Sequence, residues 1–319
     1  MRNTWLLAAV AALVFASPLC AQMGGDDGMD GEEMPDLFKN TDTDGDGKIS
    51  LDEIKKLRLE RTKALREAAF SDDYDKARSD AWEKYGAIVD LDEFLMCDMD
   101  DDNSLTRKEY EGAWEGEDYP KHSDKDFETL GDVYFDEMAA DHDTDKDGKI
   151  GVEELVTSLK KQRDAAAEKA GEDAEKRKNV MQSYSVSRVL RDALTMDLDV
   201  DGTITREEAR KYQKAYNEGD VDYLPKGKNL EILHKESVDE VLLVMDTDKD
   251  GNISREELAA IGEKPGDDEW KKLDKDGNGK LDQKEIIAAM FEKEGEEGPS
   301  EPEEAETPKE ESGSKGSEK

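Results

Sequence analysis

The sequence has few of the residues that build zinc, haem or thiol sites. It contains two cysteines and three histidines among 319 residues. Aromatic residues make up 6 % of the chain and apolar residues 35 %, whereas ordinary soluble domains are about 45–50 % apolar. So small a supply of apolar side chains argues against one large core and favours several small ones.

Basic residues are also in deficit, since 46 Lys and Arg stand against 84 Asp and Glu, a formal net charge of −38. Nucleic-acid binding needs a clustered basic face, so we expect no nucleic-acid partner. The sequence shows no nucleophile-and-base arrangement, phosphate loop or dinucleotide fingerprint, and we predict that the protein is not an enzyme. What it has in excess is carboxylate oxygen, which hard cations prefer.

The first 21 residues have the pattern of a secretory signal peptide. A basic start is followed by the unbroken apolar stretch Trp5–Phe15, which is shorter than the ~20 residues needed to span a bilayer. We predict cleavage after Ala21, with Ala16 as a second choice, and no membrane insertion afterwards. The protein would then be secreted, periplasmic or in the lumen of the secretory pathway. Cleavage after Ala21 removes Cys20 and leaves Cys97 without a disulfide partner.

One twelve-residue pattern occurs six times in the chain. Each copy has Asp at positions 1 and 3, Asp or Asn at position 5, an aliphatic residue at position 8 and Glu at position 12. The copies, numbered here loops 1 to 6, begin at Asp42, Asp98, Asp143, Asp197, Asp246 and Asp274. These segments resemble EF-hand calcium loops, and with their flanking helices they cover most of the chain between Pro35 and Glu292.

The spacing of the oxygen-bearing residues suits calcium, which takes six to eight oxygens at about 2.3–2.6 Å. Positions 1, 3 and 5 supply side-chain oxygens, position 7 its backbone carbonyl and position 12 a bidentate carboxylate. A solvated acidic run would not repeat this register. The predicted ligands are Asp42, Asp44, Asp46, Lys48 and Glu53 in loop 1; Asp98, Asp100, Asp102, Ser104 and Glu109 in loop 2; Asp143, Asp145, Asp147, Lys149 and Glu154 in loop 3; Asp197, Asp199, Asp201, Thr203 and Glu208 in loop 4; Asp246, Asp248, Asp250, Asn252 and Glu257 in loop 5; and Asp274, Asp276, Asn278, Lys280 and Glu285 in loop 6.

Position 6 requires a positive φ, which glycine adopts freely. Five loops have glycine there, while loop 2 has Asn103. Asparagine tolerates the left-handed region better than most residues, so we expect loop 2 to bind calcium with some strain.

The loops are expected to work in pairs. In the family, the aliphatic residue at position 8 lies in a short extended segment that pairs with a neighbouring loop. Loops 1 and 3 begin 101 residues apart and loops 3 and 5 begin 103 apart, which indicates a duplicated unit of two hands. We therefore pair loop 1 with 2, 3 with 4 and 5 with 6. The competing arrangement pairs loop 2 with 3 and 4 with 5, across the shorter gaps.

The predicted fold is all-α, with tandem EF-hand pairs, long helical connectors and disordered acidic termini. The terminal segments lack the apolar groups that offset ordering entropy. The predicted divisions are a signal peptide at 1–21, a disordered linker at 22–34, EF-hand pairs at 35–120, 121–225 and 226–294, and a disordered tail at 295–319.

An acidic chain with a signal peptide and six hands is similar in architecture to the reticulocalbin and calumenin group. We predict a calcium buffer or a calcium-stabilised structural protein, with Ca²⁺ as its cofactor. The alternative is a calcium-dependent interaction module, a sensor or adaptor with a protein partner. Cys97 and His142 directly precede loops 2 and 3, where an entering helix normally places an apolar side chain, so we expect both to be packing residues.

Overall fold

The computed structural model describes residues 36–114, 121–171, 173–220, 224–260 and 264–291. The predicted signal peptide, linker 22–34 and tail 295–319 lie outside these residues. The described chain consists of helices and three short two-stranded ribbons, which confirms the all-α fold. No helix in these segments is both long enough and apolar enough to cross a membrane.

The elements follow one another as helix, loop, short strand and helix. The helices are α1 (Leu37–Thr41), α2 (Leu51–Ala68), α3 (Tyr74–Gly86), α4 (Leu91–Cys97), α5 (Arg107–Ala113), α6 (Asp124–His142), α7 (Val152–Ala170), α8 (Ala174–Ser183), α9 (Val186–Leu194), α10 (Arg206–Glu218), α11 (Gly227–Met245), α12 (Arg255–Ala260), α13 (Asp267–Leu273) and α14 (Gln283–Phe291). The strands are β1 (Lys48–Ser50), β2 (Ser104–Thr106), β3 (Ile150–Gly151), β4 (Thr203–Ile204), β5 (Ile253–Ser254) and β6 (Lys280–Leu281).

The strands join the loops two by two. Each ribbon is antiparallel, and the aliphatic residues at position 8 face each other across it. The facing residues, all buried, are Ile49 and Leu105, Ile150 and Ile204, and Ile253 and Leu281. Loop 1 therefore pairs with loop 2, loop 3 with 4 and loop 5 with 6, and the described strands do not form the competing arrangement.

The same residues that close a loop also start the helix that follows it. In loop 1, the Ser50 side chain at position 9 accepts a hydrogen bond from the Glu53 backbone N–H, and the Glu53 carboxylate accepts one from Ser50. Such a capping box satisfies backbone donors that the first turn leaves unpaired. Thr106 with Glu109 and Thr205 with Glu208 form the same box.

The three pairs share their hydrophobic cores through two long helices. Helix α6 places Leu130 and Val133 in the core of pair 1 and Phe135 in the core of pair 2. Helix α11 likewise places Leu233 in the core of pair 2 and Val238 in the core of pair 3. The predicted divisions after residues 120 and 225 thus precede helices that each belong to two cores.

Helices α6 and α10 approach closely at Gly131. A Cβ at this position would lie 2.4 Å from the Cα of Arg210. Because no side chain fits there, glycine is what permits the approach. An ion pair fixes the same contact: the Arg210 guanidinium lies 2.7 Å from the Asp132 carboxylate.

Cys97 and His142 are both packed in the interior. Cys97 is fully buried in the core of pair 1, and burial raises the pKa of its thiol to about 12. Nδ1 of His142 lies 3.0 Å from the Ser158 hydroxyl. Since that hydroxyl donates to the Asp141 carbonyl at 3.1 Å, Nδ1 carries the proton. Burial lowers the pKa of His142, which favours the neutral ring.

Candidate metal centres

All six acidic loops are curled by hydrogen bonds to their own carboxylates. In every loop the Asp at position 1 accepts a hydrogen bond from the backbone N–H of position 6, at 2.8–3.1 Å. The Asp at position 3 accepts one from the N–H of position 5, at 2.9–3.3 Å. These bonds turn the backbone around the carboxylates and bring their oxygens together.

Two residues in each loop have a positive φ. Position 6 was predicted, and there φ lies between 63° at Asn103 and 89° at Gly202. Position 4 was not predicted, and only two of its six residues are glycine. The residues are Gly45, Asp101, Lys146, Val200, Lys249 and Gly277, with φ between 57° and 74°. Val200 is the most strained of them, because a β-branched side chain is disfavoured in this region.

Carboxylate oxygens converge within the loops. In loops 1 to 4, the acidic residues at positions 1, 3 and 12 place one oxygen each within 4.8 Å of one another. In loop 5 the converging residues are Asp246, Asp248 and Asp250. Two oxygens bound at about 2.4 Å to one ion are at most about 4.8 Å apart, so this spacing suits one calcium ion per loop.

Two buried oxygens at position 1 support the fit to a cation. Oδ1 of Asp143 in loop 3 and Oδ1 of Asp274 in loop 6 are buried without a hydrogen-bond partner among the described residues. A buried, unpaired carboxylate oxygen is costly, and a bound cation would remove that cost. The convergent groups are all carboxylates, which matches the preference of calcium rather than that of softer metals.

The first loop of each pair holds its position-12 glutamate with a threonine at position 2. We call this contact, made by Thr43 with Glu53, Thr144 with Glu154, and Thr247 with Glu257, the threonine clasp. In each clasp the backbone N–H and the hydroxyl of the threonine both donate to Oε1 of the glutamate, at 2.5–3.0 Å.

Hydrogen bonds keep these glutamates in the charged form that a cation needs. Burial raises the pKa of Glu53 and Glu257, but hydrogen bonds outweigh it. The pKa of Glu53 therefore lies below its ordinary value, and that of Glu257 falls to about 2. The Thr144 hydroxyl is the main reason why the pKa of Glu154 is lowered.

The second loop of each pair lacks this hydroxyl, although the position-2 N–H still donates to the glutamate in loops 4 and 6, at 3.1 and 2.6 Å. Its position-2 residue is Met99, Leu198 or Lys275, none of which carries a hydroxyl, whereas its position-1 aspartate is buried at 3–7 % exposure. Oδ2 of Asp274 accepts a hydrogen bond from Nε1 of Trp270 at 3.1 Å. Oδ2 of Asp197 accepts one from Nδ2 of Asn229 at 2.9 Å.

The position-12 glutamate of loop 2 accepts the fewest hydrogen bonds of the six. Glu109 accepts hydrogen bonds from Thr106, but the N–H of Met99 donates to the Cys97 carbonyl at 3.0 Å rather than to Glu109. Burial raises the pKa of its Asp98. Together with the positive φ of Asn103, these features agree with the strain expected for this loop.

The position-7 residues lie in the strands or next to them, and their role as carbonyl ligands stays a prediction. One of them makes a contact that sequence reasoning missed. The Lys280 ammonium of loop 6 pairs with the Asp250 carboxylate of loop 5, and this hydrogen bond lowers the pKa of Asp250. No single-loop pattern could reveal it, because the two residues belong to different loops.

Comparison with known proteins agrees with these loops. The family model described as EF hand matches residues 36–57, 142–160 and 238–261, which contain loops 1, 3 and 5, the first loop of each pair. The chain has no match among curated proteins. The matches and the oxygen clusters support an EF-hand superfamily protein and, with it, calcium binding.

Proposed function

We propose that the protein is an exported calcium-binding protein whose six EF-hand loops each hold one calcium ion. The observation that carries this proposal is the repetition of one curled loop, with three carboxylate oxygens within 4.8 Å of one another in each of loops 1 to 5. Export rests on the signal-peptide pattern of residues 1–21. The proposal assigns the protein no catalytic activity.

The ligands in each loop would be the side chains at positions 1, 3, 5 and 12 and the backbone carbonyl at position 7. Calcium brings two positive charges to each cluster of carboxylates. Six ions would change the formal charge from −38 to −38 + 12 = −26. Because like charges oppose compaction, binding would favour the folded chain.

Calcium would also supply stability that the cores lack. The three pairs have small cores, and Cys97 is a free thiol. Where no ordered site exists without the ion, the free energy of binding becomes free energy of folding. Extracellular modules of this kind bind calcium at about 10⁻⁴–10⁻³ M, and an exported protein meets calcium in that range. We therefore propose a buffering or calcium-stabilised structural role.

Calorimetric titration of the chain beginning at Gln22 tests the stoichiometry. We expect six calcium ions per chain, and a melting temperature that falls when a chelator is added. Binding of fewer than four ions, or equal melting temperatures with and without chelator, would contradict the proposal. Mass spectrometry of the exported protein tests the cleavage after Ala21.

A dye experiment separates buffering from the sensor role. The large exposed apolar side chains are spread over different elements, with Leu59 on α2, Met99 in loop 2 and Leu243 on α11. A target groove would need such side chains to form one patch. We expect little change in hydrophobic-dye fluorescence on adding calcium, whereas a strong rise would favour a calcium-dependent interaction module.

A further inference from the structure

We propose that Asn229, on the first helix of pair 3, is a positioning residue for the calcium site in loop 4 of pair 2. This inference rests on the proposed calcium binding by loop 4. It means that a residue of one pair of hands holds a ligand of the neighbouring pair in place.

The amide of Asn229 lies in the interior between the two pairs. The residue is 1 % exposed. Its Nδ2 donates to Oδ2 of Asp197 at 2.9 Å and to the Leu194 carbonyl at 3.3 Å. An amide has two N–H groups, so both are used. One binds the end of helix α9, and the other binds the first ligand of loop 4.

The contact fills the oxygen of Asp197 that the loop's own backbone already turns away from the ion. Oδ2 also accepts a hydrogen bond from the N–H of Gly202 at 3.0 Å, while Oδ1 accepts only the N–H of Asp201, at 3.1 Å. A carboxylate oxygen has about two lone-pair sites. Those of Oδ2 are therefore filled, and Oδ1 keeps one for a cation. The Gly202 N–H gives the same orientation that Asp246 has in loop 5, and Asn229 adds a second, buried hydrogen bond that holds Asp197 in it.

Helix α11, which carries Asn229, is held against helix α9 by a second contact. The buried Glu240 carboxylate accepts hydrogen bonds from the N–H groups of Val186 and Ser187, at 2.9 and 3.1 Å, and from the Ser185 hydroxyl at 3.1 Å. These groups form the N-terminus of α9, the helix that leads into loop 4. Since α11 binds both ends of α9, the position of Asn229 relative to the loop is well defined.

The repeat provides an internal comparison. Loops 3 and 5 begin 103 residues apart, so Asp126 on α6 corresponds to Asn229, because 126 + 103 = 229. Asp126 accepts a hydrogen bond from the Ser123 N–H of its own helix at 2.6 Å. A carboxylate cannot donate a hydrogen bond to the corresponding ligand of loop 2, Asp98. The positioning contact is therefore a feature of the junction between pairs 2 and 3.

Calorimetry on variants of the whole chain tests the proposal. Asn229→Leu keeps the branching of the side chain but removes the donor, and Glu208→Gln removes the closing ligand of loop 4. Changes next to a metal ligand typically cost 10–100-fold in affinity. We expect Asn229→Leu to weaken one site about tenfold, Glu208→Gln to abolish one site, and the double variant to behave like Glu208→Gln alone. Asn217→Leu is the matched control, because its amide bonds only the Gln213 carbonyl within α10.

A second readout needs no calcium. In chelator, Asn229→Leu and Asp197→Ala should each lower the unfolding midpoint, and the two losses should not add, because both variants remove the same hydrogen bond. If the two losses in unfolding midpoint add, the hydrogen bond between Asn229 and Asp197 does not contribute to stability, and the proposal is wrong.

The outcomes separate this inference from the proposed function. If Glu208→Gln leaves the stoichiometry unchanged, loop 4 binds no calcium and the function proposed for it fails. If Glu208→Gln removes one ion while Asn229→Leu changes no affinity, only the role of Asn229 is overturned. Equal weakening of several sites by Asn229→Leu, persisting in the Glu208→Gln background, would indicate a general structural role and also overturn it.

Discussion

The first and second loops of each pair receive side-chain support at opposite ends. In loops 1, 3 and 5 the threonine clasp fixes the glutamate at position 12. In loops 2, 4 and 6 the aspartate at position 1 is buried, and in loops 4 and 6 a side chain from outside the loop binds it. The same twelve-residue pattern is thus ordered in two ways.

This difference shows where each loop depends on its surroundings. A first loop supports its closing ligand with a side chain of its own, the threonine at position 2, so this support is local. A second loop orders its entering ligand through a helix, Trp270 lying on α13 and Asn229 on α11, so its geometry depends on packing. The EF-hand matches fall on the three first loops. Loop 2 has neither device, and we expect it to be the weakest site.

The largest effect should follow removal of the closing ligand from each loop of pair 2. Glu154→Gln and Glu208→Gln each remove a charged oxygen from a position that supplies two ligand atoms. We expect each to weaken its own site by about 100-fold or more, beyond the usual effect of a residue that only supports a ligand. Calcium titration should show five strong ions in place of six for each variant. If either variant still binds six calcium ions tightly, the mutated loop is not a calcium site and cannot be compared with the others.

The threonine clasp should account for the next largest effect. Thr144→Val keeps the shape of the side chain but removes the hydroxyl that donates to Glu154 at 2.6 Å. A hydrogen bond to a charged group contributes about 1.5–3 kcal/mol, so we expect the affinity of loop 3 to fall about tenfold. The control is Thr157→Val, whose hydroxyl bonds only the Glu153 carbonyl on the exposed face of α7. An equal effect of both variants would show that the clasp has no special role.

Much of this arrangement could be predicted from the sequence, and the reason is physical. A calcium ion imposes the same oxygen positions on each loop, so Asp143 and Glu154 recur at fixed offsets whatever surrounds them. The aliphatic residue at position 8 indicated paired loops, and the facing Ile150 and Ile204 agree with this. The clasp also had a visible signal, since threonine recurs at position 2 of all three first loops.

The remaining features depend on long-range packing or on backbone shape. Asn229 lies 32 residues from Asp197, and nothing in either segment shows that helix α11 returns to loop 4. The sequence also did not predict that α6 contributes to two hydrophobic cores, because the spacing of its apolar residues does not show which core Leu130 packs in. The positive φ at position 4 left no signal, since residues as different as Val200 and Gly277 adopt it.

The support given to the second loops can be tested at loop 6. Trp270→Phe keeps an aromatic ring in the core of pair 3 but removes the N–H that donates to Asp274. This bond also ends on a carboxylate but is longer than the clasp bond, 3.1 Å against 2.6 Å, so we expect less than the about 1.5–3 kcal/mol of a strong bond to a charged group. The affinity of loop 6 should fall about fivefold while loop 5 is unchanged. Weakening of both loops would indicate a packing defect in the pair instead.

Relieving backbone strain at position 4 should have a smaller effect, and it should stabilise the protein. Val200→Gly in loop 4 relieves a left-handed conformation that costs an L-residue about 1–2 kcal/mol, while glycine adds entropy to the unfolded chain. We expect a net gain of about 0.5–1 kcal/mol in the free energy of unfolding, measured with urea. Gly277→Ala at the same position of loop 6 should have the opposite effect, because it introduces this strain. A loss of stability in Val200→Gly would mean that the side chain contributes more than its conformation costs.

The smallest expected effect is a change in acid stability. The Thr144 hydroxyl is the main cause of the lowered pKa of Glu154. A carboxyl group whose pKa is lower in the folded protein contributes stability that is present above its ordinary pKa of 4.5 and is lost as the pH falls below that value. In metal-free Thr144→Val the pKa of Glu154 should return towards 4.5, so stability should depend less on pH in this acid range. Urea unfolding at a series of pH values, compared with Thr157→Val, measures the difference. Parallel curves for the two variants would show that the hydroxyl does not act on the charge of Glu154, and the clasp would then be only a steric feature of the first loops.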